Sequence, residues 1–206
     1  TFKTVSNNTY YNGNVGKLYQ NQWYSNWGNS YYFGSDGARY TNKVADIDNG
    51  TYYFNDQGIM AKDQFQVRNG KTYYYGNDGK EYKDQFYNNW GHTYYFGPDG
   101  ARYTNQFYNN WGHTYYFGAD GARWDDRFMN AWGHTYYFGS DGARWDNRWM
   151  NRWGNSYYFF SDGVRATSQL ANIGNATYLF DDQGRLQQDR FLSQNGKLYY
   201  FGNDGK

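Results

Sequence analysis

The feature that most constrains this chain is a repeat of fixed length. A Tyr-Tyr pair begins at Tyr10, Tyr31, Tyr52, Tyr73, Tyr94, Tyr115, Tyr136, Tyr157, Tyr178 and Tyr199, each 21 residues after the last, with Leu179 the one substitution at the second place. Six residues beyond each start stands a glycine, from Gly16 to Gly205. Ten copies without one insertion or deletion require a rigid unit that leans on its neighbours, because the loops of an ordinary domain tolerate changes in length.

Within the unit, His92-Thr93-Tyr94-Tyr95-Phe96 is short, aromatic and β-favouring, and predicts a strand. Gly97-Pro98-Asp99-Gly100 predicts a tight turn, residues 101–108 a return segment, and Asn109-Asn110-Trp111-Gly112 a turn into the next copy. Glycine, asparagine and β-formers at this density disfavour helix. An isolated hairpin is marginal in water, so each copy must bury its aromatic face against the next. The expected fold is all-β, a solenoid of stacked β-hairpins running as a single repeat array over residues 1–206, an elongated rod without a separate core. The first copy is irregular, since Asn12 and Val15 stand where Phe and Asp recur, and the chain closes on Gly205-Lys206 without a return segment. It is therefore expected to be a fragment of a longer secreted protein.

Val, Ile and Leu number only 14 against 27 Tyr, 15 Phe and 9 Trp, so whatever core exists is aromatic. Twenty basic residues nearly cancel nineteen acidic ones with no long run of one sign, which argues against nucleic acid or anionic lipid as partner and for a neutral one. No stretch is apolar enough to span a membrane, and Thr1-Phe2-Lys3-Thr4 has no signal-peptide character. The absence of cysteine rules out disulfides and thiolate metal sites.

The stretch from Phe65 to Gly79, with Asn69-Gly70-Lys71, Tyr73-Tyr74-Tyr75 and Asp78-Gly79, resembles the glucan-binding and cell-wall-binding repeats of Gram-positive surface proteins. That family includes the accessory domain of glucansucrases from lactic acid bacteria and the related choline-binding repeats. Phe191 to Gly205 is similar apart from Leu192. Choline-binding repeats carry a Trp before the Tyr pair as one wall of a cage, whereas here the position holds Thr9, Ser30, Thr51, Thr72, Thr93, Thr114, Thr135, Ser156, Thr177 and Leu198, which argues against a choline cage. The resemblance to glucan-binding relatives implies a site at Gln66, Lys71 and Tyr73. It implies a modified version at Tyr87, Trp90, His92 and Tyr94, repeated at Tyr108, Trp111, His113 and Tyr115, at Trp132, His134 and Tyr136, and at Trp153.

A pyranose presents C–H groups on one face and hydroxyls at its rim, so it stacks on an aromatic ring while polar side chains take the rim. In strand periodicity His92, Tyr94 and Phe96 lie on one side and Thr93 and Tyr95 on the other, so one tyrosine of each pair is expected in the core. The bland readings are packing for Phe33, Phe96, Phe117 and Phe138, and contacts between copies for Arg39, Arg102, Arg123 and Arg144. An aromatic at a turn such as Trp27 or Trp90 either covers a neighbour or serves a surface. The three histidines occupy one place in successive copies and do not converge, so no metal site, no cofactor and no catalytic centre are expected.

The leading expectation is a non-catalytic, multivalent carbohydrate-binding module for an α-glucan such as dextran, monomeric and at the surface of a Gram-positive bacterium. Attachment to bacterial cell-wall glycan, through peptidoglycan or teichoic acid, is the second reading, weakened for a polyanion by the lack of a basic stripe. A structural spacer or adhesion stalk is the third.

Overall fold

The structure, a computed structural model, describes residues 1–14 and 16–206; Val15, one of the irregular positions of the first copy, lies outside the described residues. Twenty short strands pair into ten antiparallel hairpins, one per copy, and no helix occurs among the described residues. The described residues divide into two compact units, Thr1–Thr104 and Asn105–Lys206, of five hairpins each.

The fifth hairpin shows how the sequence closes the unit. Gln85–Asn89 pairs with His92–Phe96 in the register Gln85↔Phe96, Tyr87↔Tyr94, Asn89↔His92. The hairpin turn is therefore Trp90-Gly91, and not the Gly97-to-Gly100 segment from which a return strand was expected. Trp90 and Gly91 both have positive φ, 48° and 76°, the geometry of a type I′ turn, whose twist matches that of the strands it joins. The Gly97-to-Gly100 turn does form, with Gly100 N–H donating to the Gly97 carbonyl and Ala101 N–H to Asp99 Oδ1. It is followed by a single bridge between Phe96 and Arg102 in place of a strand. Arg102 N–H then reaches back 2.8 Å to the carbonyl of Thr72 in the fourth hairpin, tying consecutive copies together.

Strand alternation puts Phe86, Tyr95, Asn88 and Thr93 on one face and Phe96, Tyr87, Tyr94, Asn89 and His92 on the other. Hairpins stack by laying the first face on the second face of the next copy. Phe65 and Tyr74 of the fourth hairpin meet Tyr87 of the fifth at ring separations of 5.9 and 4.1 Å, and Phe96 at 6.4 and 6.2 Å. In six copies this ring is a completely sealed phenylalanine: Phe33, Phe54, Phe96, Phe117, Phe138 and Phe159 are each 0% exposed. Each such side chain contributes about 1.5–3 kcal/mol of transfer free energy, so the core is a series of rings, one to each interface between copies.

Volume is conserved across the interface. Where the next copy has alanine in the place of Tyr87, at Ala45 and Ala171, the preceding hairpin carries a tryptophan: Trp23 packs on Tyr52 and Phe54, and Trp149 on Tyr178 and Phe180. The fourth copy departs from the rule that the sealed ring is Phe. There Tyr75 donates its hydroxyl to Glu81 Oε2 at 2.7 Å, and Arg68 Nη2 reaches the same oxygen at 2.6 Å. Burial first, and then this carboxylate, push the Tyr75 hydroxyl well above the usual phenol range.

Candidate functional site

The type I′ turn places two residues at the tip of every hairpin, in the left-handed region that suits Asn, Asp and Gly. Asn69 and Asn195 occupy the first tip position at φ 51° and 52°. In five copies the residue there is tryptophan: Trp27, Trp90, Trp111, Trp132 and Trp153, with φ between 45° and 54°. These indoles are between 69% and 94% exposed, while nearly every other ring in the chain is covered. A bulky side chain in this conformation costs about 1–2 kcal/mol, and its exposure recovers none of that.

The indoles are held in two ways. Trp27 and Trp90 have no ring partner among the described residues, and both faces of each indole are open. Trp132 lies 5.8 Å from Phe107 of the preceding hairpin at an interplanar angle of 34°, and Trp153 lies 5.8 Å from Phe128 at 29°. One indole face is thereby backed by a ring of the preceding hairpin. The Arg152 guanidinium sits 4.7 Å from the Trp153 ring.

Polar groups flank these rings. His92, His113 and His134 follow the tips and are exposed, and His113 is 6.4 Å from Tyr115. Asn109, Asn110, Trp111, Gly112, His113 and Thr114 line an open depression of about 480 Å³, and the equivalent residues from Asn130 to Thr135 line one of about 400 Å³. Sequence reasoning passed over the asparagines and threonines here. Their signal is a fixed spacing, since Thr93, Thr114 and Thr135 each donate at 2.8 Å to Asn88, Asn109 and Asn130, five residues earlier. The threonine of each pair stands immediately before the Tyr-Tyr pair. Among the described residues no three of His, Cys, Asp or Glu gather as metal ligands, and no helix is long and apolar enough to cross a membrane.

The tyrosines and the family-like site are placed differently from the tips. Tyr115 and Tyr136 are 7% and 8% exposed, so neither of these first tyrosines offers an open face as a platform. The first tyrosine lies under an arginine: Arg123 is 5.7 Å from the Tyr115 ring and Arg144 is 5.9 Å from Tyr136. Arg102 stands 5.4 Å from Tyr94, and Tyr87 is half-buried against Tyr74. Tyr108 and Gln66 are half-buried as well. Tyr73 carries the Arg68 guanidinium 3.8 Å from its ring, and Lys71 is bound at 2.9 Å to Asp99 of the next copy. That bond raises the affinity of the Lys71 amine for its proton and holds Asp99 below the usual carboxylate range. Of the aromatic residues and histidines singled out in sequence, the tip tryptophans and the histidines that follow them are the ones exposed to solvent.

The family model described as "Putative cell wall binding repeat" matches residues 46–60 and 189–206. No curated protein sequence matches the chain. Among solved structures it is similar to the modular autolysin LytC of Streptococcus pneumoniae, with a TM-score of 0.77 and 24% identity over 100% of this chain and 47% of that one. The chain thus spans about half the length of LytC. It is similar to the choline-binding domain of CbpL from the same organism, with a TM-score of 0.72 and 24% identity over 90% of this chain and 96% of that one. It is also similar to choline binding protein F of that organism, in a structure determined in the presence of a peptidoglycan analogue, with a TM-score of 0.64 and 21% identity over 99% and 85%. The chain is therefore a β-hairpin solenoid with the fold of the pneumococcal choline-binding domains, and two of its segments carry the cell-wall-binding repeat.

Proposed function

We propose that this chain is a non-catalytic carbohydrate-binding module of the cell surface, and that its tip tryptophans are platforms on which sugar rings stack. The observation that carries the reading is the tryptophan in a strained, exposed turn position that Asn69 fills without strain. An indole placed there at a cost in stability, in five copies, has a task outside the fold. Beside it stand an imidazole, amides and a hydroxyl, which suit the hydroxyl rim of a pyranose. The near balance of 20 basic and 19 acidic residues favours a neutral polymer, with an α-glucan first. The ten copies act as one array, in which linked weak sites gain roughly 10²–10⁴-fold in avidity on a polymer of matching repeat.

A second reading, attachment to cell-wall glycan, is favoured by the family model and by the peptidoglycan analogue named for choline binding protein F. Affinity electrophoresis in gels containing dextran, mutan, starch or purified cell wall separates the two. Retention by dextran that falls at least tenfold in the Trp111→Ala/Trp132→Ala double variant supports the first, and retention by cell wall alone selects the second. Mobility unaffected by every polymer, or unaffected by the substitutions, would sink the platform role.

A further inference from the structure

An open groove lies away from the tip tryptophans, in the first unit. It has a volume of about 670 Å³ and runs between the tip of the third hairpin, Asp46 to Thr51, and the return segment from Gly76 to Gln85. One copy later, the same interval is closed. There Lys71 Nζ spans from hairpin tip to turn and meets Asp99 Oδ2 at 2.9 Å, while Asp99 Oδ1 accepts the Ala101 N–H at 3.0 Å.

Counting back 21 residues, Asp78 takes the place of Asp99 and Gly50 the place of Lys71. Asp78 Oδ1 caps the turn as before, accepting the Lys80 N–H at 3.0 Å, but Oδ2 has no partner among the described residues. The amine that would fill the gap is missing because Gly50 has no side chain. A Cβ there would stand 2.9 Å from both the Tyr52 ring and Lys80 Cγ, so packing demands the glycine and opens the groove. Asp48 flanks it from the tip with no ion pair among the described residues, and Asp46 accepts the Thr51 hydroxyl at 2.5 Å. Lys83 is occupied by Thr51 at 2.8 Å and Glu81 at 3.9 Å, and Lys80 makes no ion pair among the described residues. The Tyr52 hydroxyl is held up by burial first, then by the Asp78 and Asp48 charges, so both carboxylates act on this same space.

We infer that this groove is a second ligand site, which receives the primary ammonium of a free amino sugar in the position that Lys71 Nζ occupies against Asp99 one copy later. Asp78 and Asp48 take the ammonium. Asn49, Asn77, Gln85 and Thr51 offer amides and a hydroxyl to the remaining sugar hydroxyls, which favours an amine carried on a glycan over one carried on a peptide. The site is independent of the tip platforms and makes no use of an indole.

The test is a titration of the ¹⁵N-labelled chain with a β-1,4-linked glucosamine tetramer, its fully N-acetylated counterpart and tri-lysine. The expected result is that the free-amine tetramer shifts the amides of residues 48–51 and 76–83, and that the acetylated one does not. Asp78→Asn, which keeps the turn cap, weakens binding about tenfold, the size of one charged hydrogen bond. Lys80→Ala removes a competing cation and strengthens it, so the two variants move in opposite directions. Trp132→Ala leaves this binding unchanged, whereas Asp78→Asn leaves retention on neutral polymer unchanged, which keeps the two sites' failures apart. Equal binding of the acetylated tetramer, absence of shifts, or tri-lysine binding as tightly as the glycan would overturn the assignment.

Discussion

The fourth copy and the seventh use one backbone unit to opposite ends. In the seventh, Phe138 is sealed between Phe107 and Tyr116 on one side and its own hairpin on the other, and Arg144 is held at 2.7 Å by Asp146 in the return segment. In the fourth, the sealed ring is Tyr75, the return segment carries Glu81, and Arg68 completes a buried polar cluster. The 21-residue spacing tolerates both because three residues change together and every buried polar atom but Arg68 Nε finds a partner there. The lesson is that the repeat fixes where side chains meet, and leaves open which chemistry they meet with.

The sharpest way to break the comparison is to remove the rings. Phe138→Ala leaves a cavity in an interface with nothing to collapse into it and is expected to cost about 3–5 kcal/mol in urea denaturation. Tyr75→Phe removes only a hydroxyl and leaves Glu81 its Arg68 partner, at a cost of about 1–2 kcal/mol. Equal losses would mean that the aromatic interface and the polar cluster are energetically alike.

The cluster itself can be replaced. Glu81→Met alone strands Arg68 and the Tyr75 hydroxyl in the core, and is expected to cost about 1–3 kcal/mol. One copy earlier the same three places hold Ile47, Phe54 and Met60, all buried. Grafting that set, as Arg68→Ile/Tyr75→Phe/Glu81→Met, should return stability to within about 1 kcal/mol of the parent chain. A triple variant no better than Glu81→Met would show that the cluster is bound to its own neighbours and is not an exchangeable module.

Much of this was legible in the sequence. The 21-residue register gave ten hairpins, and alternation correctly put Tyr94 with His92 and Tyr95 with Thr93. What misled was the role of the two turns: Gly97-Pro98-Asp99-Gly100 looks like the hairpin turn, while Asn109-Asn110-Trp111-Gly112, read as a turn between copies, is the hairpin turn itself, because tryptophan is a poor signal for the left-handed residue of a type I′ turn. The Tyr pair was read as one buried ring and one free ring, but the stacking in the second unit buries Tyr136 and Tyr137 alike from opposite faces. The groove beside Gly50 was not legible at all, because it depends on a side chain that is absent, and on a contact between residues 28 positions apart in the next copy.

The tips permit a finer contrast between the units. Trp90→Asn releases the strain of an indole with no ring partner and should stabilise the chain by about 1 kcal/mol, seen as a raised denaturation midpoint. Trp132→Asn releases the same strain but forfeits the contact with Phe107, worth about 0.5–1.5 kcal/mol, so stability should change little. If both substitutions stabilise equally, the Phe107 contact is incidental and the indole is as free in the second unit as in the first.

The smallest expected effect bears on the closed and open versions of the interval between hairpin tip and turn. Asp99 is held below the usual carboxylate range, first by its bond to the Lys71 ammonium and then by the Ala101 N–H. A depressed carboxylate favours the folded state at pH above the ordinary value near 4, and that contribution disappears as pH falls through the folded midpoint. Both side chains are more than half exposed, so the effect on stability is slight and salt screens it. The midpoint is the better readout. In Lys71→Met, the Asp99 carboxyl followed by ¹³C NMR should titrate at higher pH than in the parent chain, with the Ala101 bond accounting for what depression remains. An unmoved midpoint would mean that Lys71 does not hold Asp99 in solution, and the closed interval would then cease to be a template for what the open groove beside Gly50 receives.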